Sequence, residues 1–216
     1  MKFLLNIKIK NKGFTILELL VSLTIFAIMT ALLLSKYGTF NQGVILTNLA
    51  YDIALTVRNA QMYGLNVKSS GRTTNDFSNP YGVYFDTSSA ASKILVISFI
   101  DLRQGNSNPD NLYNNAPAYI NPATGMPYEF LTSSTIKNGG YIGSIKTCNN
   151  YNCNNPITRT DVSIVFKRPK PDAMIYTSSD PFNPNGYKKV MIDVKSSDGN
   201  TKTVTITDNG EISVNQ

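Results

Sequence analysis

The chain has 216 residues, of which 42% are hydrophobic and 16% charged, with two cysteines, no histidine and a formal net charge of +6. The missing histidine excludes Ser-His and Cys-His nucleophiles, and two thiols alone make a poor zinc site. A pI near 9.2 points by itself toward polyanions such as nucleic acid.

Residues 1–13 carry Lys2, Lys8, Lys10 and Lys12 and no acid, so the positive-inside tendency keeps them cytoplasmic. Residues 14–34 read FTILELLVSLTIFAIMTALLL, and Glu18 is their only ionisable side chain. A bilayer core asks for about 20 apolar residues in a helix, so this segment can span a membrane. An ionisable group inside such a segment costs on the order of 2.5–3.5 kcal/mol or more and usually marks a function. An ordinary secretory signal has a shorter apolar core followed by a small-residue cleavage site. Here the small residue, Gly13, stands before the apolar run, and a cut there leaves the span attached.

The stretch K-G-F-T-I-L-E-L-L, residues 12–20, resembles the class III signal of type IV pilins and type II secretion pseudopilins. The resemblance implies cleavage between Gly13 and Phe14 by a prepilin peptidase, N-methylation of the new Phe14 amine by the same enzyme, and Glu18 as the fifth mature residue. It also implies that Glu18 faces the terminal amine of a neighbouring subunit, which neutralises the buried charge and sets axial register. Phe14 and Glu18 are four residues apart and share a helix face. The implied partners are other pilin or pseudopilin subunits, the processing enzyme, an inner-membrane assembly platform, and membrane lipid before assembly. No cofactor or metal is implied. The expected location is a single-pass cytoplasmic-membrane anchor with the leader inside and the head outside, then a filament.

Beyond the span, residues 35–43 (SKYGTFNQG) hold Gly38 and Gly43, each costing a helix about 1 kcal/mol relative to alanine, so the helix continues or kinks there. Leu46, Leu49, Ile53, Val57 and Ala60 then recur at helical spacing, with Asn48, Asp52, Arg58 and Asn59 on other faces, predicting an amphipathic helix. Its stripe is expected to pack on the head's own sheet. Residues 49–67, with Arg58-Asn59-Ala60, resemble the helix of the H-type minor pseudopilins and related minor pilins. That likeness implies two antiparallel sheets packed against the helix and a sparingly used subunit.

Strands are expected at 81–86, 93–102, 141–147, 161–168, 173–177, 188–194, 201–207 and 212–214, which are rich in Val, Ile, Tyr, Phe and Thr as half-buried strands are. Ser196-Ser197-Asp198-Gly199-Asn200 reads as a hairpin connection and Asp208-Asn209-Gly210 as a further turn, giving a terminal meander. The expected fold is α+β and pilin-like: a leader at 1–13, a transmembrane and assembly helix at 14–35, its amphipathic continuation at 36–67, and an antiparallel β-rich head at 68–216.

Residues 104–127 hold Pro109, Pro117, Pro122 and Pro127 among Asn, Ser and Gly, a composition that disfavours regular structure. The nearby Tyr113, Tyr119 and Tyr128 offer subunit or ligand contact if this loop has a role. Cys148 and Cys153 enclose NNYN. With the head outside the cytoplasm, as the resemblance implies, they are expected to form a disulfide.

Loss of the leader changes the charge argument. It removes four of 20 Lys and Arg and none of 14 Asp and Glu, lowering the net charge from +6 to +2. Lys167-Arg168-Pro169-Lys170 and Lys188-Lys189 remain as basic clusters, and solvated strand ends explain such runs. Nucleic acid is therefore disfavoured as a partner, and a DNA-binding minor pilin is the alternative to a structural subunit. Walker A, G-x-S-x-G and dinucleotide motifs are absent, and the acids show no catalytic pairing at helical spacing, so no enzymatic activity is expected. Asp198-Gly199-Asn200 and Asp208-Asn209-Gly210-Glu211 could supply calcium oxygens, but turn chemistry accounts for them.

Overall fold

The computed structural model describes residues 13–66, 79–102, 110–114, 121, 125, 127–180, 183 and 185–215. Contacts divide the chain into two compact units, Met1–Asn41 and Gln42–Gln216. Helix α1, Ile16–Leu65, is 50 residues long and remains helical through Gly38 and Gly43. Its membrane-length apolar part lies in the first unit, and its amphipathic part in the second.

In the second unit the predicted stripe is the buried one. Leu46, Leu49, Ile53, Val57 and Ala60 join one core with both sheets, while Asn48, Asp52, Arg58 and Asn59 are exposed. The first sheet has the order β3-β2-β1-β6-β7, formed by β1 (Tyr81–Asp86), β2 (Leu95–Ile100), β3 (Phe130–Thr135), β6 (Asp161–Phe166) and β7 (Ala173–Tyr176). The second has the order β10-β9-β8-β4-β5, formed by β4 (Tyr141–Cys148), β5 (Ile157–Arg159), β8 (Lys189–Lys195), β9 (Thr201–Thr207) and β10 (Ile212–Asn215). Every pairing is antiparallel. The architecture is thus the α+β, pilin-like one, and the terminal meander β8-β9-β10 runs through the two turns read from sequence.

Three features depart from the strand expectations. Residues 92–94 form a short 3-10 turn before β2, which therefore starts at Leu95 rather than 93. β3 was not expected because FLTSST is polar and lies at a sheet edge with its last four residues exposed. β5 was not expected because three residues, ITR, are too few for alternation to register.

The register explains how one strand is covered twice. Val83, Phe85, Val162 and Ile164 face the core, whereas Tyr84 and Ser163, paired across β1 and β6, point the other way. That second face is covered by residues 110–114. Tyr113 donates its N–H to Ser163 Oγ at 3.1 Å and sets its ring 5.0 Å from Tyr84 and 5.4 Å from Phe99. Tyr113, read as a residue for outside contacts, instead packs on its own sheet. Tyr128 is partly exposed, and Tyr119 and most of 104–127 lie outside the described residues.

Gln61 ties α1 to both sheets. Its buried amide donates to the carbonyls of Pro171, before β7, and Gly210, between β9 and β10, at 2.9 and 3.1 Å. Near the helix end, Gly64 permits close approach: a Cβ there would lie 2.4 Å from the Phe166 carbonyl oxygen. Backbone cannot yield as a side-chain tip can, so Gly64→Ala is expected to cost about 2–3 kcal/mol. In a thermal melt the midpoint should fall by roughly 5–10 °C.

Candidate assembly site

Gly13, Phe14 and Thr15 precede the helix without regular structure. Thr15 is the N-cap: its carbonyl accepts the first helical hydrogen bond from Leu19 N–H at 3.1 Å, and its hydroxyl accepts the Glu18 N–H at 3.2 Å. Gly13 is open, with nothing within 4 Å of where a Cβ would stand, and Phe14 is 75% exposed. The scissile bond read from sequence therefore lies just outside the helix.

Within the apolar run, the hydroxyl groups are satisfied locally. Ser22, Thr24 and Thr30 donate to the carbonyls of Glu18, Val21 and Phe26 at 2.7–2.8 Å, so each enters an apolar environment without an orphaned donor. Glu18 differs. It is exposed in the first turn, and among the described residues its carboxylate has no hydrogen-bond or ion-pair partner. An acid that must leave water needs a cation or a proton, and residues 14–34 hold no Lys or Arg to supply one. Large apolar side chains surround it, including Leu17, Leu19, Leu20 and Val21, all exposed.

Cys148 and Cys153 are joined as a disulfide with Cα atoms 5.3 Å apart. Cys153 occupies the left-handed region at φ 52° and donates its N–H to Asn150 Oδ1 at 2.7 Å. The bridge closes the turn after β4. The loops considered for calcium serve as turns: Gly199 and Gly210 both have φ 83°, Asn209 Oδ1 accepts the Glu211 N–H, and Asp208 pairs with Lys188 at 2.7 Å. That pairing also takes Lys188 out of the basic cluster, whereas Lys167 and Lys170 remain exposed.

One group of acids escaped sequence reasoning. Asp101, Asp110 and Glu129 bring carboxylate oxygens within 4.8 Å of one another. Asp101 accepts the N–H groups of Asp110 and Asn111 at 3.2 and 2.8 Å. Glu129 accepts those of Leu102 and Asn114 at 3.3 and 2.8 Å. Burial pushes Asp101 up to about 8 and Glu129 up to about 7, against the lowering effect of those hydrogen bonds. Three hard oxygen donors are the chemistry of a calcium ligand set, but the two buried carboxylates already hold residues 110–114 over the first sheet. Their separation in sequence gave no signal; the pairing of Phe99 with Phe130 brings them together.

A family model described as the prokaryotic N-terminal methylation motif matches residues 8–34. No curated protein and no solved structure matches the chain. The matched residues take in the open Gly13–Phe14 junction, the capped helix start, Glu18 and the apolar run. The chain therefore carries a prokaryotic N-terminal methylation motif at residues 8–34.

Proposed function

We propose that the protein is a minor pilin or pseudopilin, anchored in the cytoplasmic membrane, cut between Gly13 and Phe14, methylated at Phe14 and assembled into a type IV pilus or type II secretion pseudopilus. The observation that carries this reading is the lone carboxylate of Glu18 four residues after the cut, in a helix otherwise suited to lipid. Cleavage creates a positive amine at Phe14, and a neighbouring subunit's amine gives Glu18 a partner that it lacks among the described residues. Pairing lowers the cost of carrying the charge into an apolar bundle.

The second unit supports a place in a filament. On α1, Tyr51, Leu55 and Met62 are each more than half exposed and recur at helical spacing away from the buried stripe, offering an apolar face to other helices. Two five-stranded antiparallel sheets against the helix support the H-type minor pseudopilin reading. Its partners are then other subunits, the prepilin peptidase and the assembly platform.

Maturation tests this function. Gly13→Val is expected to leave the chain in membranes at its precursor size, because a branched side chain replaces the small residue beside the cut. A Gly13→Val chain that runs with the mature wild type on a gel places processing elsewhere.

A further inference from the structure

Leader removal needs more than a small residue and a following phenylalanine: the bond must be reachable. Hydrolysis adds water across the Gly13–Phe14 amide, the hydroxyl ending on the Gly13 carbonyl carbon as a carboxylate and the hydrogen on the Phe14 nitrogen as an amine. Backbone locked in a helix is a poor protease substrate, and exposed irregular backbone is the usual site of cleavage. Helices extend cooperatively once nucleated, and a 50-residue helix begins at Ile16, only two residues beyond Phe14.

What stops it there is visible. Thr15 accepts from Leu19 through its carbonyl and from Glu18 through its hydroxyl, so one side chain defines the helix start. The next residues back that can cap are Gly13, which lacks a side-chain acceptor, and Asn11. A helix begun at either takes Phe14 into its first turn. Gly13 opposes that extension, since glycine disfavours helix by about 1 kcal/mol relative to alanine.

We propose that Thr15 is a positioning residue for leader removal: its hydroxyl fixes the helix start at Ile16 and leaves the Gly13–Phe14 bond outside the helix, where the peptidase can extend it. The inference rests on cleavage at that bond. It makes Thr15 act through backbone conformation, so any good capping side chain should serve.

The experiment follows leader removal over time in full-length chain, in membranes containing its prepilin peptidase, for wild type and for Thr15→Val, Thr15→Ser and Thr15→Asn. Valine keeps the branched shape and loses the hydroxyl. Its conversion is expected to be about fivefold slower, the size of a lost cap, with serine and asparagine within about twofold of wild type. Thr15→Val maturing at the wild-type rate overturns the proposal. So does Thr15→Asn as slow as Thr15→Val, because the enzyme then reads threonine itself rather than a cap. The mass of the mature wild-type chain is a separate check: an N-terminus other than Phe14 removes the cleavage reading whatever the variants do.

Discussion

Glu18→Ala is expected to insert in the membrane and lose its leader like the wild type, yet to enter filaments at least tenfold less. Insertion depends on the apolar run of residues 14–34, which the substitution makes more apolar. The proposed cleavage uses the Gly13–Phe14 junction and the Thr15 cap, and the cap uses the Glu18 backbone N–H rather than its carboxylate. What disappears is the proposed counter-charge for a neighbouring Phe14 amine. That ammonium must then enter the apolar bundle unpaired, a cost of several kcal/mol. Shearing filaments from cells and comparing sheared with membrane-bound protein measures the effect. Wild-type incorporation of the alanine variant sinks the assembly role of Glu18.

The second large effect concerns pH. Asp101 and Glu129 are buried, and burial raises their folded-state values from 3.8 and 4.5 to about 8 and about 7. The unfolded chain releases these protons near pH 4, whereas the folded chain keeps them until pH 7–8. Between those limits the folded state holds more protons, so stability must fall as pH rises. The stabilisation is complete below about pH 4 and lost above about pH 8. A loss of even 1.4 kcal/mol, equivalent to one pH unit, lowers the midpoint of a domain this size by about 3–6 °C. Full-length protein in detergent, melted at pH 5 and pH 8.5 and followed by tyrosine near-UV signal, should therefore melt several degrees higher at pH 5. Asp101→Asn and Glu129→Gln together should flatten that difference while lowering the pH 5 midpoint, since each amide keeps one carbonyl acceptor where the acid had two oxygens accepting backbone N–H groups. Equal wild-type midpoints at the two pH values contradict the burial of these acids.

The two predictions fall on opposite sides of what could be read from sequence. Glu18 stands out because one charge in 21 residues breaks a pattern that lipid enforces. The helical stripe of Leu46, Leu49, Ile53, Val57 and Ala60 was legible for a similar reason, since burial on one side imposes a period near 3.6. The strands of β1, β4, β6, β8 and β9 were legible through their β-branched and aromatic content. β3 escaped because an exposed edge imposes no alternation, and β5 because three residues carry too little of it.

Sequence alone carried the N-terminal signal: a basic leader, a small residue at the proposed cut and a lone acid in a membrane-length helix are local features, and the chemistry of lipid and cleavage acts on them locally. Only the tertiary structure decided that Tyr113 covers the first sheet, that Gln61 ties the helix to both sheets, and that Asp101 and Glu129 share one buried place. Those depend on strand register, which juxtaposes residues 28 positions apart, such as Asp101 and Glu129, with no trace in their spacing. The same structure places the helix start at Ile16, with Thr15 as its cap and the proposed cleavage bond, Gly13–Phe14, outside the helix.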